Sequence, residues 1–381
     1  MNRELDACPN SRVFTAKQGD SEVSDFSTIQ EMVLKAHGEM SRQLWDYVSG
    51  GSESETTLWR NRQALDRIAF RPRVLRDVSD IDPSTTFLGR KWRIPVFLAP
   101  IGEIEQIHPD GALPCLRAAR EYGLPYFLSS VNSVSLEEAS KAAGEILFFQ
   151  LYVRGDQVWV DEILDRVANA QCQAFCLTVD IAYYGRRERD LISGYLPPGR
   201  RKGHTRVGFQ YQAAITWDLV DRIRDKLRIP VIVKGIATAE DARLAVQHGV
   251  DVVYVSNHGG RQLDHGQGTI DVLTEVVEAV NGKAEVLVDG GFVRGTDILK
   301  AIALGARAVG LGKLQGWALA ADGEAGVRRM FEILEQEIRL NMGLLGVTRM
   351  DQMNPTCLKA ETPVKFADEF SPFPTLERLL R

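Results

Sequence analysis

From residue 95 onward, short runs of β-branched and aromatic residues recur along the chain, each followed by a longer stretch with amphipathic, helical spacing. Eight such runs can be counted: 95–99 (PVFLA), 125–129 (PYFLS), 146–151 (ILFFQL), 174–180 (AFCLTVD), 230–234 (PVIVK), 251–256 (DVVYVS), 285–289 (EVLVD) and 308–312 (AVGLG). They are apolar almost throughout instead of alternating, as strands buried on both faces are. Strand and helix in alternation predict βαβ units and a parallel sheet. An open doubly wound sheet usually has fewer strands and a G-x-G-x-x-G loop after the first, a motif the chain lacks. Eight repeats instead predict an α/β fold of the (β/α)8 class, a TIM barrel.

The intervening helices carry ordinary end signals. Thr238 precedes Glu240 and Asp241, a cap and two acids that suit a helix start, and Gly249 fits the position just past the helix end. Two segments break the rhythm. Residues 1–25 read as a flexible N-terminal tail, and 28–92 as a helical and irregular lead-in that covers the bottom or side of the barrel. The stretch 185–212, between the fourth and fifth runs, is long, basic and contains Pro and Gly. Such loops after barrel strands commonly act as active-site lids or interaction elements. The division expected is a tail at 1–25 and one barrel domain over 26–381.

Composition narrows the function classes. A formal net charge of −5 argues against a nucleic-acid surface, despite the local run Arg200, Arg201 and Lys202. The five cysteines are odd in number and show no C-x-x-C, which fits reduced thiols and a cytoplasmic protein. No stretch reaches the roughly 18 apolar residues of a membrane span, and the first residues lack the apolar core of a signal peptide. No metal site is expected.

In a barrel of this class the reactive groups lie at the C-terminal ends of the strands. Here nearly every run ends in polar residues: Ser129 and Ser130; Gln150 and Tyr152; Thr178 and Asp180; Lys234; Ser256, Asn257 and His258; Asp289; Lys313. Any one of them alone reads best as a loop starter or cap, but seven strands converging on polar ends describe a binding site. His258 and Arg261 are separated by Gly259 and Gly260, which let the loop approach a flat ligand closely. A lone histidine is more often structural. One directly after a barrel strand, with Asp180 available from another, reads as a base. Late in the chain, VDGG (288–291) and GLGK (310–313) offer glycine N–H groups to a phosphate after the seventh and eighth strands.

The run SNHGGRQ (256–262) resembles the active-site signature of the FMN-dependent 2-hydroxy acid oxidases and dehydrogenases. Further matching segments lie in order from about Trp45 to Val347, among them FRPRVL (70–75), FQLY (149–152), LTVD (177–180), GRRERD (185–190), VKGIATAEDAR (233–243), DGG (289–291) and GTD (295–297). The resemblance implies a flavin mononucleotide cofactor and oxidation of an L-2-hydroxy acid to the 2-keto acid, with two electrons passing to flavin N5 and then to oxygen or another acceptor. It implies that His258 removes a proton, either from the hydroxyl during hydride transfer or from Cα to give a carbanion. Asp180 would orient and stabilise protonated His258, and Arg187 and Arg261 would clamp the substrate carboxylate. Tyr47 and Tyr152 match substrate-side tyrosines, and Lys234 the lysine beside flavin N1 and O2. Pro100, Ile101, Gly102, Ser129, Gln150 and Thr178 match ring or ribityl contacts. Ser256, Asp289, Gly291, Gly312 and Lys313 complete the cofactor set toward the ribityl and phosphate. A homo-oligomer, a tetramer by analogy, is also implied.

The chain departs from the pattern in three places. Where many relatives carry two arginines on the FMN phosphate, it has Val293 and Lys313, with Arg294 nearby as the expected substitute. Val131 stands where an aromatic residue often lines the side-chain pocket, which suggests a bulkier or aromatic substrate. Ala182 and Tyr183 replace the usual residues after 178–180, so Tyr183 and Tyr184 are either new substrate contacts or ordinary packing. Other readings on the same barrel are an isomerase, a flavin enzyme acting on a modified peptide or by oxidative decarboxylation, and a non-catalytic flavin-binding barrel.

Overall fold

The computed structural model describes residues 24–195, 209–364, 368–374 and 376. Eight parallel strands, here β1 to β8, close into a barrel in chain order. They are Val96–Leu98, Tyr126–Ser129, Leu147–Leu151, Ala174–Thr178, Val231–Ile236, Val252–Val255, Glu285–Val288 and Ala308–Leu311. All eight fall on the runs read from the sequence. Most of the expected tail and the centre of the 185–212 loop, with its three basic residues, lie outside the described residues. Seven strands lie within their runs, and one outruns its own: β5 does not stop at Lys234 but continues to Ile236 through an irregularity at Gly235.

Aromatic rings fill the barrel interior. Phe97 and Phe127 lie 4.9 Å apart, Phe127 and Phe148 4.9 Å, and Phe97 and Tyr254 5.3 Å, all essentially without exposure. Gly310 on β8 makes room for this layer, since a Cβ there would sit 2.6 Å from the Tyr254 hydroxyl. That hydroxyl donates to Asp289 at the end of β7 over 2.8 Å, so the core carries the floor of the site directly above it.

The lead-in holds three helices, α1 (Ile29–Glu39), α2 (Arg42–Ser49) and α3 (Thr56–Asp66). Thr28 and Glu31 close a capping box on α1, and Ser41 caps α2. The lead-in divides between the two ends of the barrel. Its hairpin, Thr85–Phe87 with Arg90–Trp92, bonds Glu285 and Arg307 at the N-terminal ends of β7 and β8, where bottom coverage was expected. Helices α2 and α3 instead reach the opposite end, where α2 supplies Tyr47 and α3 meets the loops after β6 and β7. Sequence pattern could not show this, because it depends on contacts between segments some 200 residues apart.

Arg62 is the rivet of α3. It forks onto Asp297 at 2.7 and 2.8 Å, both residues being almost fully buried, and Asp297 also accepts from the backbone N–H of Val293 and Arg294. Arg62→Met leaves a buried carboxylate without its partner. A loss of about 3–5 kcal/mol of unfolding free energy is expected, measured by denaturant titration. A loss below about 1 kcal/mol would mean that α3 is held by packing alone.

Candidate active site

Three strand ends bring the central group together. Asp180 follows β4, Lys234 sits near the end of β5, and His258 follows β6. Gly235 has a positive φ of 113°, and a Cβ there would lie 2.7 Å from that of Asp180, so its missing side chain is what admits the carboxylate. His258 itself has φ 58°, an uncommon conformation for a residue with a side chain. Its surroundings impose it: the His258 N–H donates to Ser256 Oγ at 3.0 Å, and Asn257 exchanges two amide bonds with Asn61 of α3 at 3.0 and 2.7 Å. Gly260 lies so close to Leu58 that any side chain would collide with α3.

The imidazole of His258 is held at both nitrogens. Nδ1 is 3.0 Å from Asp180 Oδ1, and Nε2 is 3.2 Å from the Tyr152 hydroxyl. Burial pushes the Asp180 carboxyl up, but Lys234 and His258 outweigh it and keep it ionised. An ionised Asp180 accepts only, so Nδ1 carries the proton and the Nε2 lone pair accepts from the Tyr152 hydroxyl at the cavity wall. Burial also lowers the His258 pKa, with Asp180 opposing and Lys234 adding to the shift, so the neutral base is the resting form. The pH profile of kcat/KM should therefore rise and level off, its acid limb centred below the ordinary imidazole value of 6.5. A limb centred above that value would contradict a neutral resting imidazole.

A cationic pair faces the same cavity. Arg187 lies with its guanidinium 4.3 Å from the Tyr184 ring centre and 5.7 Å from that of Tyr47, and Arg261 lies 5.0 Å from Tyr47. Arg261 is braced by the backbone carbonyls of Tyr47 and Gly50 at 2.5 and 3.1 Å. The Arg187 guanidinium makes no hydrogen bond or ion pair among the described residues, and its buried Nε has no partner. Burial and Arg187 both depress the pKa of Arg261, the mark of two like charges brought together. An anion between them removes that repulsion.

The cavity has a volume of about 600 Å³. Tyr47, Pro100, Ile101, Gly102, Val131, Tyr152, Arg187, Lys234, His258, Arg261, Asp289, Gly291, Gly312 and Lys313 line it, as the sequence reading placed them. Ser129, Gln150, Thr178 and Ser256 are instead buried at the strand ends and do not line it. Gln150 leaves both its amide atoms, and Thr178 its hydroxyl, buried without partners. In register next to Thr178, the Lys234 ammonium bonds Ser256 Oγ at 2.8 Å and lies 3.7 Å from Asp289. Burial favours its neutral amine, but Asp289 and Asp180 outweigh burial and keep the charge. At the glycine-rich end, Lys313 donates to Ser49 O at 2.6 Å, and burial together with Arg261 pulls its pKa down to about 7.

Arg294 is not where the sequence reading put it. It pairs with Glu337 at 2.6 Å, bonds Pro372 O, and does not line the cavity. The Asp297 carboxylate gathers the N–H groups of Val293 and Arg294, and this fixes the backbone so that the side chain leaves toward Glu337. The paired tyrosines divide: Tyr184 lines the cavity, whereas Tyr183 is 82% exposed. Sequence reasoning missed Glu103, Ile107, Arg154, Phe209 and Gln212, all on the wall. Only Arg154, two residues beyond Tyr152, carried a signal that position could have revealed.

A model of the FMN-dependent dehydrogenase family matches residues 36–360. The chain is 38% identical over 359 residues to glycolate oxidase 3 of Arabidopsis thaliana, covering 88% of this chain and 97% of that protein. It is 40% identical over 342 residues to 4-hydroxymandelate oxidase of Amycolatopsis orientalis, covering 84% and 95% respectively. A solved structure of mandelate oxidase with (S)-2-phenylpropionate is similar at a TM-score of 0.81 and 38% identity, covering 89% of this chain and 100% of that one.

Proposed function

The chain belongs to the FMN-dependent dehydrogenase family, and from that premise we propose that it oxidises an L-2-hydroxy acid to the 2-keto acid, with His258 as base and Arg187 and Arg261 holding the carboxylate. The observation that carries this reading is the His258 imidazole, held neutral between Asp180 and Tyr152 and facing the arginine pair across one cavity.

FMN is the cofactor of the family, and the residues present fit it. The unpartnered amide of Gln150, the unpartnered hydroxyl of Thr178 and the Lys234 ammonium suit the polar edge of a flavin ring, with its carbonyls and N–H. Gly312, where an added Cβ would meet nothing within 4 Å, leaves room for the phosphate arm beside Lys313. When bound, the flavin accepts the two electrons and passes them to oxygen or another acceptor.

The protein's own groups do the rest. Arg187 and Arg261 bind and orient the carboxylate, for which a planar fork is better suited than an ammonium. Tyr152 holds the hydroxyl next to Nε2. His258 receives the proton there, and the ionised Asp180 at Nδ1 stabilises the imidazolium that forms. The experiment is product analysis under air: one 2-keto acid per 2-hydroxy acid consumed, and no turnover of the matching methyl ester, which lacks the anion. Equal turnover of acid and ester would remove the arginine assignment.

With Arg294 bound to Glu337, Lys313 is the cation left for the phosphate at the glycine end among the described residues. Lys313→Met should weaken FMN roughly ten- to a hundredfold, the worth of one charge-assisted hydrogen bond, read by flavin fluorescence titration. The free ammonium titrates at about 7 and phosphate favours its charged form, so binding takes up a proton. FMN affinity of the unsubstituted protein should therefore fall as pH rises above that value.

A further inference from the structure

A third guanidinium faces the cavity. Arg154 stands on the loop after β3, two residues beyond Tyr152, and its guanidinium, like that of Arg187, makes no hydrogen bond or ion pair among the described residues. Its charged surroundings are Glu103 and Tyr152, whereas Arg261 feels Arg187, Tyr47 and Tyr184. The arginine pair and Arg154 thus have different charged neighbours on the wall of one cavity, and Tyr152 interacts with both Arg187 and Arg154.

Beside Glu103, the carboxylate nearest in charge to Arg154, the wall is small and apolar at Gly102 and Val131. Glu103 N–H donates to Val131 O at 2.6 Å, and Gly102 packs against Val131, with an added Cβ falling 3.4 Å from the Val131 Cβ. Gly102, Glu103, Val131 and Arg154 all line the cavity, and Glu103 joins the Gly102–Val131 contact to the Arg154 guanidinium that feels its charge. A substrate with its carboxylate on Arg187 and Arg261 and its hydroxyl at Tyr152 and His258 has one substituent left to place. That substituent faces this part of the wall.

We propose that Arg154 determines specificity, binding a second carboxylate at the end of the substrate's side chain, so that the preferred substrates are 2-hydroxy dicarboxylic acids. The inference rests on the 2-hydroxy acid reading above and names its substrate class. A partly desolvated guanidinium with free N–H groups is matched by a carboxylate better than by any apolar group. Val131, where an aromatic side chain would fill the space, leaves the path to it open. Glu103 on the same rim opposes a second anion and sets how strong the preference becomes.

The test is kcat/KM of the FMN-loaded enzyme for L-malate and L-2-hydroxyglutarate against L-2-hydroxybutyrate and L-mandelate, in the unsubstituted protein and in Arg154→Met and Glu103→Gln. The expected result is a preference for the dicarboxylic acids that falls at least tenfold in Arg154→Met, mostly through KM, and rises in Glu103→Gln. A second reading, independent of turnover, is the flavin spectral change on titrating the oxidised enzyme with 2-oxoglutarate, which should need a higher concentration in Arg154→Met. A preference for the monocarboxylic acids, an unchanged ratio, or an equal loss for both classes would overturn the proposal while leaving the oxidation reading intact. No reduction by any of these acids would overturn both.

Discussion

Replacing His258 with alanine is expected to slow reduction of the bound flavin by a 2-hydroxy acid about 10²- to 10⁴-fold, the usual contribution of a positioned base. FMN itself should stay bound. The groups proposed for the ring edge, Gln150, Thr178 and Lys234, sit on other strands and keep their places when the imidazole is removed. The expected loss is large because the group at His258 Nε2 cannot replace it: burial raises the Tyr152 phenol far above its ordinary value and keeps it protonated. Stopped-flow absorbance of the FMN-loaded variant under anaerobic conditions measures the effect. A loss smaller than about tenfold would place the proton elsewhere.

The second large effect is expected at Arg187. A hydrogen bond to a charged group contributes about 1.5–3 kcal/mol, and a forked contact makes two, so Arg187→Met should lower kcat/KM by a hundredfold or more, chiefly through KM. Arg187→Lys keeps the charge but not the fork and should recover only part of the loss. The fold should lose little. The Arg187 guanidinium has no hydrogen bond or ion pair among the described residues, so Met gives up its contacts with the Tyr47 and Tyr184 rings and the charge attraction that outweighs its burial, but breaks no bond. Arg261 behaves differently, because its guanidinium also ties Tyr47 and Gly50 to the loop after β6. Arg261→Met would mix substrate binding with the position of α2, which makes Arg187 the cleaner test of carboxylate recognition. Steady-state kinetics beside a thermal melt separates the two contributions, and an unchanged KM in Arg187→Met would remove this residue from the site.

The barrel was legible because burial on both faces writes each strand as an unbroken apolar run, and all eight runs became strands. The cluster proposed for catalysis was legible as a cluster for a related reason: the strand ends are where a barrel exposes chemistry, so position alone assigned Asp180, Lys234 and His258 to one mouth. Long-range contacts were not legible. Arg294 was expected to turn toward the cavity, but the pull of Glu337, 43 residues away on the helix Lys313–Leu345, cannot be seen in the local sequence. The same holds for α2 and α3, whose route to the mouth is set by Arg62 gripping Asp297 and by Asn61 exchanging amides with Asn257. Tyr183 and Tyr184 are chemically identical neighbours, and only the backbone path decides which of them meets Arg187.

The central claim is that this cavity oxidises 2-hydroxy acids through His258. It is tested most directly by mixing the FMN-loaded protein anaerobically with a panel of aliphatic, aromatic and dicarboxylic L-2-hydroxy acids, following flavin absorbance and then admitting oxygen. Bleaching by at least one acid, nearly abolished in His258→Ala and reversed by an electron acceptor, is the predicted result. Full FMN occupancy with no bleaching by any member of the panel, or equal bleaching in His258→Ala, would contradict it.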